Sequence, residues 1–162
     1  EPIQIEEGAE GEIVYTTMDR EATPVLRYRC RDMVRVFTAP CPGGRTSFRF
    51  TIFGRSDDML KVKGVMVYPA SIDNVITGFV PRVTGEFRIV LTEAPPRVVP
   101  PLKLKVEHGE DVPEDKLPAL AAEIADKMHD SIKIRPEIIW IPPMSLERSA
   151  HKTQFIEKAY EG

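Results

Sequence analysis

Two hydrophobic periodicities succeed one another along this chain. Residues 12–17 (Glu-Ile-Val-Tyr-Thr-Thr) are β-rich and follow the turn signal Gly8-Ala9-Glu10-Gly11, which predicts a strand. Residues 25–37 alternate, with Val25, Arg27, Arg29 and Arg31 set against Leu26, Tyr28, Cys30 and Asp32. An apolar theme resumes at Met33, Val34 and Val36, so the stretch reads as strand, sharp turn, strand. A loop over 38–46 leads into a strand over 47–53 built around Phe48, Phe50 and Ile52. Gly54-Arg55-Ser56-Asp57-Asp58 then places a glycine and four polar residues between two apolar runs. That composition marks a domain boundary.

Beyond it, 59–67 reads as a hairpin turning near Lys63-Gly64, and Pro69 opens a helix to about residue 79. Proline is tolerated in a first helical turn, and Ile72, Val75, Ile76 and Phe79 share one helical face. A strand is expected over 86–92. The four prolines of 94–101 preclude regular structure there. Leu-Lys-Leu-Lys-Val over 102–106 alternates as a strand. Leu117, Leu120, Ile124, Met128 and Ile132 predict a helix over 115–132, with Pro118 confined to its first turn. A strand over 134–141 holds the single tryptophan, Trp140, and Pro142-Pro143 stops it. The polar tail allows a short helix over 153–160.

The fold class is therefore α+β. A β-rich N-terminal segment, 1–53, precedes a small C-terminal α+β domain, 54–162. The latter has a three-stranded sheet, a β-hairpin and two helices on one face. The first segment is too short and open for a core of its own, and is expected to lean on polypeptide absent here.

Composition narrows the function classes. The 162 residues are 42% hydrophobic and 29% charged, which are globular values. Fifteen prolines are about twice the usual share of ~5%. No apolar run approaches the ~18 residues a membrane span needs, and no charged-then-apolar signal peptide is visible in these residues. The chain opens at Glu1-Pro2-Ile3 without an initiator methionine, as expected of a piece of a longer product. Two cysteines, Cys30 and Cys41, make no disulfide framework and suit reduced thiols in the cytoplasm. The three histidines are remote from both in sequence, so no metal site is expected.

Net charge is -3, against a general nucleic-acid binder. The balance is uneven. Residues 20–63 hold ten bases and four acids, a local +6, whereas residues 1–12 carry five glutamates and no base. Such a window suits an anionic ligand such as a phosphate, or is a strand of solvated arginines.

Three segments concentrate the chemistry: Arg27-Tyr28-Arg29-Cys30-Arg31-Asp32, then Gly54 to Gly64 with Gly-Arg-Ser-Asp-Asp-Met-Leu at its head, and Arg148-Ser149-Ala150-His151-Lys152. With Gly11-Glu12-Ile13-Val14, Pro40-Cys41-Pro42, Gly64-Val65 and Tyr68-Pro69, they resemble the C-terminal part of an adenylate-forming acyl-CoA ligase. The arginine-rich Arg-Tyr-Arg-x-Arg-Asp form is similar to the phenylacetate–CoA ligase branch. The likeness spans nearly the whole chain. The Ser/Thr/Gly-rich phosphate loop of such enzymes is not in this sequence.

The resemblance implies a two-step reaction. A carboxylate attacks the α-phosphate of ATP to give acyl-adenylate and pyrophosphate, and the sulfur of coenzyme A then displaces AMP. It implies that Asp32 binds the ribose hydroxyls, although an Asp among arginines is also an ordinary ion-pair partner. Arg55 would meet phosphate oxygens with paired donors. Asp57 stands at the hinge position, where Asp also commonly caps turns. Lys152 matches the catalytic lysine that stabilises charge in the first transition state. The family has Gly-Lys where this chain has His151-Lys152, and Lys158 is the competing lysine. Lys61, Lys63 and Gly64 would line the pantetheine path, with Gly64 allowing close backbone approach. Relatives often carry Cys-Pro-x-Cys-Gly, but the second cysteine position is Gly43 here, so no zinc is expected. Mg²⁺ is expected mainly on the N-terminal domain. The implied partners are the remainder of the ligase, an aromatic carboxylic acid and, as an open expectation, a second copy in a homodimer. The implied fragment is inactive alone. A different class of reading is a standalone nucleotide- or CoA-binding module without catalysis.

Overall fold

The structure is a computed structural model and describes residues 2–148 and 154–160. The polypeptide divides into two compact units, Glu1–Asp58 and Met59–Gly162.

In the first unit, β1 (Glu10–Tyr15), β2 (Tyr28–Phe37) and β3 (Arg49–Arg55) form an antiparallel sheet in that order. The turn expected within the arginine-rich run is a bulge in one continuous strand. Between the pairs Glu12↔Met33 and Val14↔Arg29 the β2 side holds two extra residues. Arg31 lies there in the left-handed region, at φ 68°. Bulges bend a strand and re-aim its side chains. The buried apolar side chains of this unit are Val34 and Val36, while Phe48, Phe50 and Ile52 are exposed at 46%, 42% and 54%. Two buried valines bury too little apolar area to hold a domain.

The second unit has the larger core. β4 (Leu60–Val62) and β5 (Val65–Val67) form a hairpin. Its two-residue turn places Lys63 at φ 48° and Gly64 at φ 87°, the double left-handed geometry that twists in the same sense as the strands. The proline-rich stretch departs from expectation. Arg97–Val98 forms a short strand, β7, parallel to β4. Pro95, Pro96, Pro100 and Pro101 flank it rather than occupy it, so its ladder groups remain available.

Helix α1 (Pro69–Thr77) starts on its proline and buries Ile72, Val75 and Ile76. Helix α2 (Leu117–Ile132), entered through a 3-10 turn at Glu114–Lys116, buries Leu120, Ile124 and Met128. The main sheet comprises β6 (Val83–Leu91), β8 (Lys103–His108), β9 (Glu137–Ile141) and β10 (Ile156–Lys158), in the order β10-β6-β8-β9. The expected sheet of three therefore gains a fourth strand. The tail helix expected over 153–160 is overturned where it is described: Ile156–Lys158 pairs parallel with Ile89–Leu91, because an open sheet edge offered a full ladder to a segment too short for a stable helix.

The helices pack on each other and on β6 and β9. Phe87, Ile89 and Leu91 of β6 and Leu104 and Val106 of β8 join the helix residues in one core. Complete burial of each such side chain contributes about 1.5–3 kcal/mol.

Candidate functional site

The first unit assembles a charged cluster from residues far apart in sequence. Asp32 and Arg55 are direct partners across β2 and β3. Arg55 donates from Nη1 to Asp32 Oδ1 at 3.4 Å, and from Nε and Nη2 to the two oxygens of Asp57 at 3.0 Å each. Arg31 reaches Asp57 Oδ2 at 3.5 Å, and the Arg31 carbonyl accepts the Ser56 N–H at 2.7 Å. The bulge thus draws the arginine-rich run and the Gly-Arg-Ser-Asp-Asp run together. Paired donation from Arg55 holds the Asp57 carboxyl below its ordinary range, and the same pair raises the Arg55 pKa. The Arg55 side chain is 43% exposed, so its fork is open to solvent while braced from one side.

Chemically, this is an arginine that meets anions and a carboxylate, Asp32, with an oxygen left to accept hydroxyl donors. A carboxylate offers about four lone-pair sites, and Asp32 gives one oxygen to Arg55 at a long distance.

In the second unit Lys61 and Lys63 are exposed on the hairpin. A Cβ added to Gly64 would meet nothing within 4 Å, so the turn presents bare backbone to open space. Lys61 stands beside Met66 on one side and beside Arg97 on the other, and its N–H donates to the Pro96 carbonyl at 2.6 Å. Arg97 adds a third cation to this edge. Sequence reasoning passed over it because it sits among prolines that signal a plain loop. The structure groups Asp32, Arg55 and Asp57 in one unit, and Lys61, Lys63 and Gly64 in the other. Lys152 lies outside the described residues. Lys158, its competitor, ends β10.

Sequence reasoning also missed Glu107, fully buried at the end of β8. Burial alone would push its carboxyl up, but donors outweigh it and lower its pKa: the N–H of Leu146 at 2.6 Å, the Thr84 hydroxyl at 2.9 Å, the N–H of Met144 and Arg148 at 3.4 Å. No sequence signal marked it, because Glu107 continues the alternation of 102–106 as the next polar position after Lys103 and Lys105. Among the described residues no three metal-ligating side chains converge. No helix there is long and apolar enough to cross a membrane.

Residues 64–158 match the family described as the AMP-binding enzyme C-terminal domain. Across 88% of its length the chain is 34% identical to a phenylacetate-coenzyme A ligase of Thermus thermophilus, of which it covers 35%. The chain belongs to the family of AMP-binding enzyme C-terminal domains. An Aromatoleum evansii ligase of the same description is 30% identical over 88% of the chain, with 32% of that protein covered. The chain thus spans about a third of the length of these curated relatives.

Solved structures agree on the fold. A 2-hydroxyisobutyryl-CoA ligase in the postadenylation state, in complex with R3-HIB-AMP, superposes with a TM-score of 0.85 at 28% identity, over 98% of this chain and 34% of that one. A domain of phenylacetate-coenzyme A ligase from Bacteroides vulgatus gives 0.51 at 25% identity, over 64% of this chain and 93% of that one. The 2-hydroxyisobutyryl-CoA ligase thus shares the α+β fold described above.

Proposed function

We propose that this chain is the C-terminal part of a cytoplasmic, ATP-dependent ligase that joins an aromatic carboxylic acid, phenylacetate first among them, to coenzyme A. The observation that carries the reading is the pairing of Asp32 with Arg55 on adjacent strands, at the end of the first unit, in a chain of this family.

The substrate carboxylate attacks the α-phosphorus of ATP, the bond to the β-phosphate oxygen breaks, and pyrophosphate leaves. The coenzyme A thiolate then attacks the acyl carbon, and AMP leaves with the bonding pair. Asp32 would accept hydrogen bonds from both ribose hydroxyls and fix the nucleotide. Arg55 would donate its fork to phosphate oxygens. Lys152 would place an ammonium where negative charge builds in the first step. Lys61 and Lys63 would border the pantetheine arm as it passes Gly64. Asp57 would serve as the hinge, a loop residue absorbing backbone change, while its carboxylate accepts both Arg55 donors. The relatives that carry AMP adducts and the family match support nucleotide binding. Mg²⁺, when bound, offsets phosphate charge, and no ligand for it is assigned to this chain.

The two-thirds of the relatives that lie outside this chain would supply the acid pocket and phosphate loop, so the 162 residues alone would not turn over. The test compares them with the full-length protein, following acid-dependent ATP–pyrophosphate exchange and acyl-CoA formation. Exchange with phenylacetate by the full-length protein alone is expected. Turnover by the 162-residue chain overturns the fragment reading, and exchange confined to non-aromatic acids overturns the substrate class.

A further inference from the structure

Among the described residues the main sheet buries two charged side chains, Arg88 at 8% exposure and Glu107 at 0%. Strand alternation puts them on one face. Arg88 lies between Phe87 and Ile89, and Glu107 follows Val106, all of which join the helix-side core. Arg88 and Glu107 therefore point away from the helices. Both grip the same stretch of backbone, 144–148. Glu107 accepts the N–H of Leu146 at 2.6 Å and the Arg148 guanidinium at 3.4 Å. Arg88 donates to the Glu147 carbonyl at 2.7 Å and to the Phe87 carbonyl at 2.8 Å.

The chain is caught again on the far side. Ile89 donates to the Phe155 carbonyl at 2.7 Å, and Ala159 donates to the Leu91 carbonyl at 2.9 Å. The Phe155 ring stacks on Phe87 with centroids 5.2 Å apart. Residues 144–148 and 155–159 are thus each tied to the main sheet. Lys152 follows Arg148 by four residues, a reach of at most about 14 Å.

A buried carboxylate is costly unless its oxygens are satisfied, and an apolar residue would fill the position more cheaply. A charge kept here is accounted for by its partners: two backbone groups and a side chain of one segment, braced by Thr84 at 2.9 Å. We propose that Glu107, aided by Arg88, is a positioning residue for the first half-reaction: it fixes the path of 144–148 and so sets where the lysine-bearing segment starts. This rests on the ligase reading above.

The test is Glu107→Gln in the full-length protein. The amide keeps the shape, but its NH₂ opposes donors that the carboxylate accepts. Acid-dependent ATP–pyrophosphate exchange is expected to fall about tenfold to a hundredfold, the range for losing hydrogen bonds to a charged group. The KM for ATP is expected to stay within about twofold, and thioester formation from supplied acyl-adenylate and coenzyme A within about threefold. Wild-type exchange rates in the variant overturn the proposal. Equal losses in both half-reactions also overturn it, because they make Glu107 a fold-stability residue only. Should the variant fail to fold, hydrogen exchange in the wild-type protein decides: a slow Leu146 amide supports the clamp, and an amide exchanging as fast as an exposed loop removes it. A wild-type protein that forms no adenylate with any aromatic acid overturns the ligase reading instead, whatever the Leu146 amide does.

Discussion

Arg55 faces Asp32 across the β2–β3 ladder at 3.4 Å and forks onto Asp57 at 3.0 Å through two nitrogens. The shorter, paired contacts go to the hinge candidate and the longer one to the ribose candidate. Asp57 therefore holds the guanidinium, and Asp32 retains acceptor capacity for a ligand. Under the proposed function a phosphate approaching Arg55 would compete with Asp57, and nucleotide binding and the Asp57 contact would be coupled through one side chain.

In the full-length protein, Asp32→Ala is expected to raise the KM for ATP about tenfold to a hundredfold, from loss of hydrogen bonds to a charged acceptor. The KM for the acid should move far less. Initial-rate kinetics with each substrate varied in turn checks this. Equal changes in both constants would point to an altered fold.

The Lys63-Gly64 turn separates strain from packing. Gly64→Ala meets open space, so its cost is the left-handed backbone alone, roughly 1–2 kcal/mol. Urea unfolding of the 162-residue chain measures it. In the full-length protein the same change is expected to slow thioester formation more than adenylate formation, which separate half-reaction assays would show.

Lys133 closes α2 in the left-handed region, at φ 60°, with its N–H on the His129 carbonyl at 3.1 Å. Glycine is the residue best suited to that conformation. Lys133→Gly is expected to stabilise the second unit by about 0.5–1 kcal/mol, read as a higher urea midpoint with an unchanged slope. Ile124→Ala, in the fully buried helix face, is expected to cost about 2–5 kcal/mol in the same assay.

Glu107 makes stability depend on pH with a definite sign. Its folded pKa lies below the unfolded value because the donors of Leu146, Thr84, Met144 and Arg148 outweigh burial. Its contribution is therefore complete above the unfolded pKa of about 4.3. It is lost as pH falls through the lower folded value. Urea midpoints of wild type and Glu107→Gln are expected to differ at pH 7 and to converge only as pH falls below the unfolded pKa and through the lower folded one. A gap that persists unchanged at low pH would show that the carboxylate charge is not what holds segment 144–148.

Local pattern determined much of this protein. Helical spacing located α1 and α2, alternation located β3 and β8, and Lys63-Gly64 located a turn that only a few residue types can make. These features depend on neighbours a few positions apart, so the chain states them directly. The motifs carrying Asp32, Arg55 and Asp57 were legible for the same reason, each being a short contiguous run. Tertiary structure decided the rest. It turned an expected break near Arg31 into a bulge, because β1 and β3 pair on either side of it. It made strands of Arg97–Val98 and Ile156–Lys158, since a free sheet edge outweighs weak local preference in two or three residues. It also buried Glu107, which in sequence is one acid after a strand. Its meaning lies in donors from residues 84, 146 and 148, and only the folded sheet brings those donors within hydrogen-bond reach.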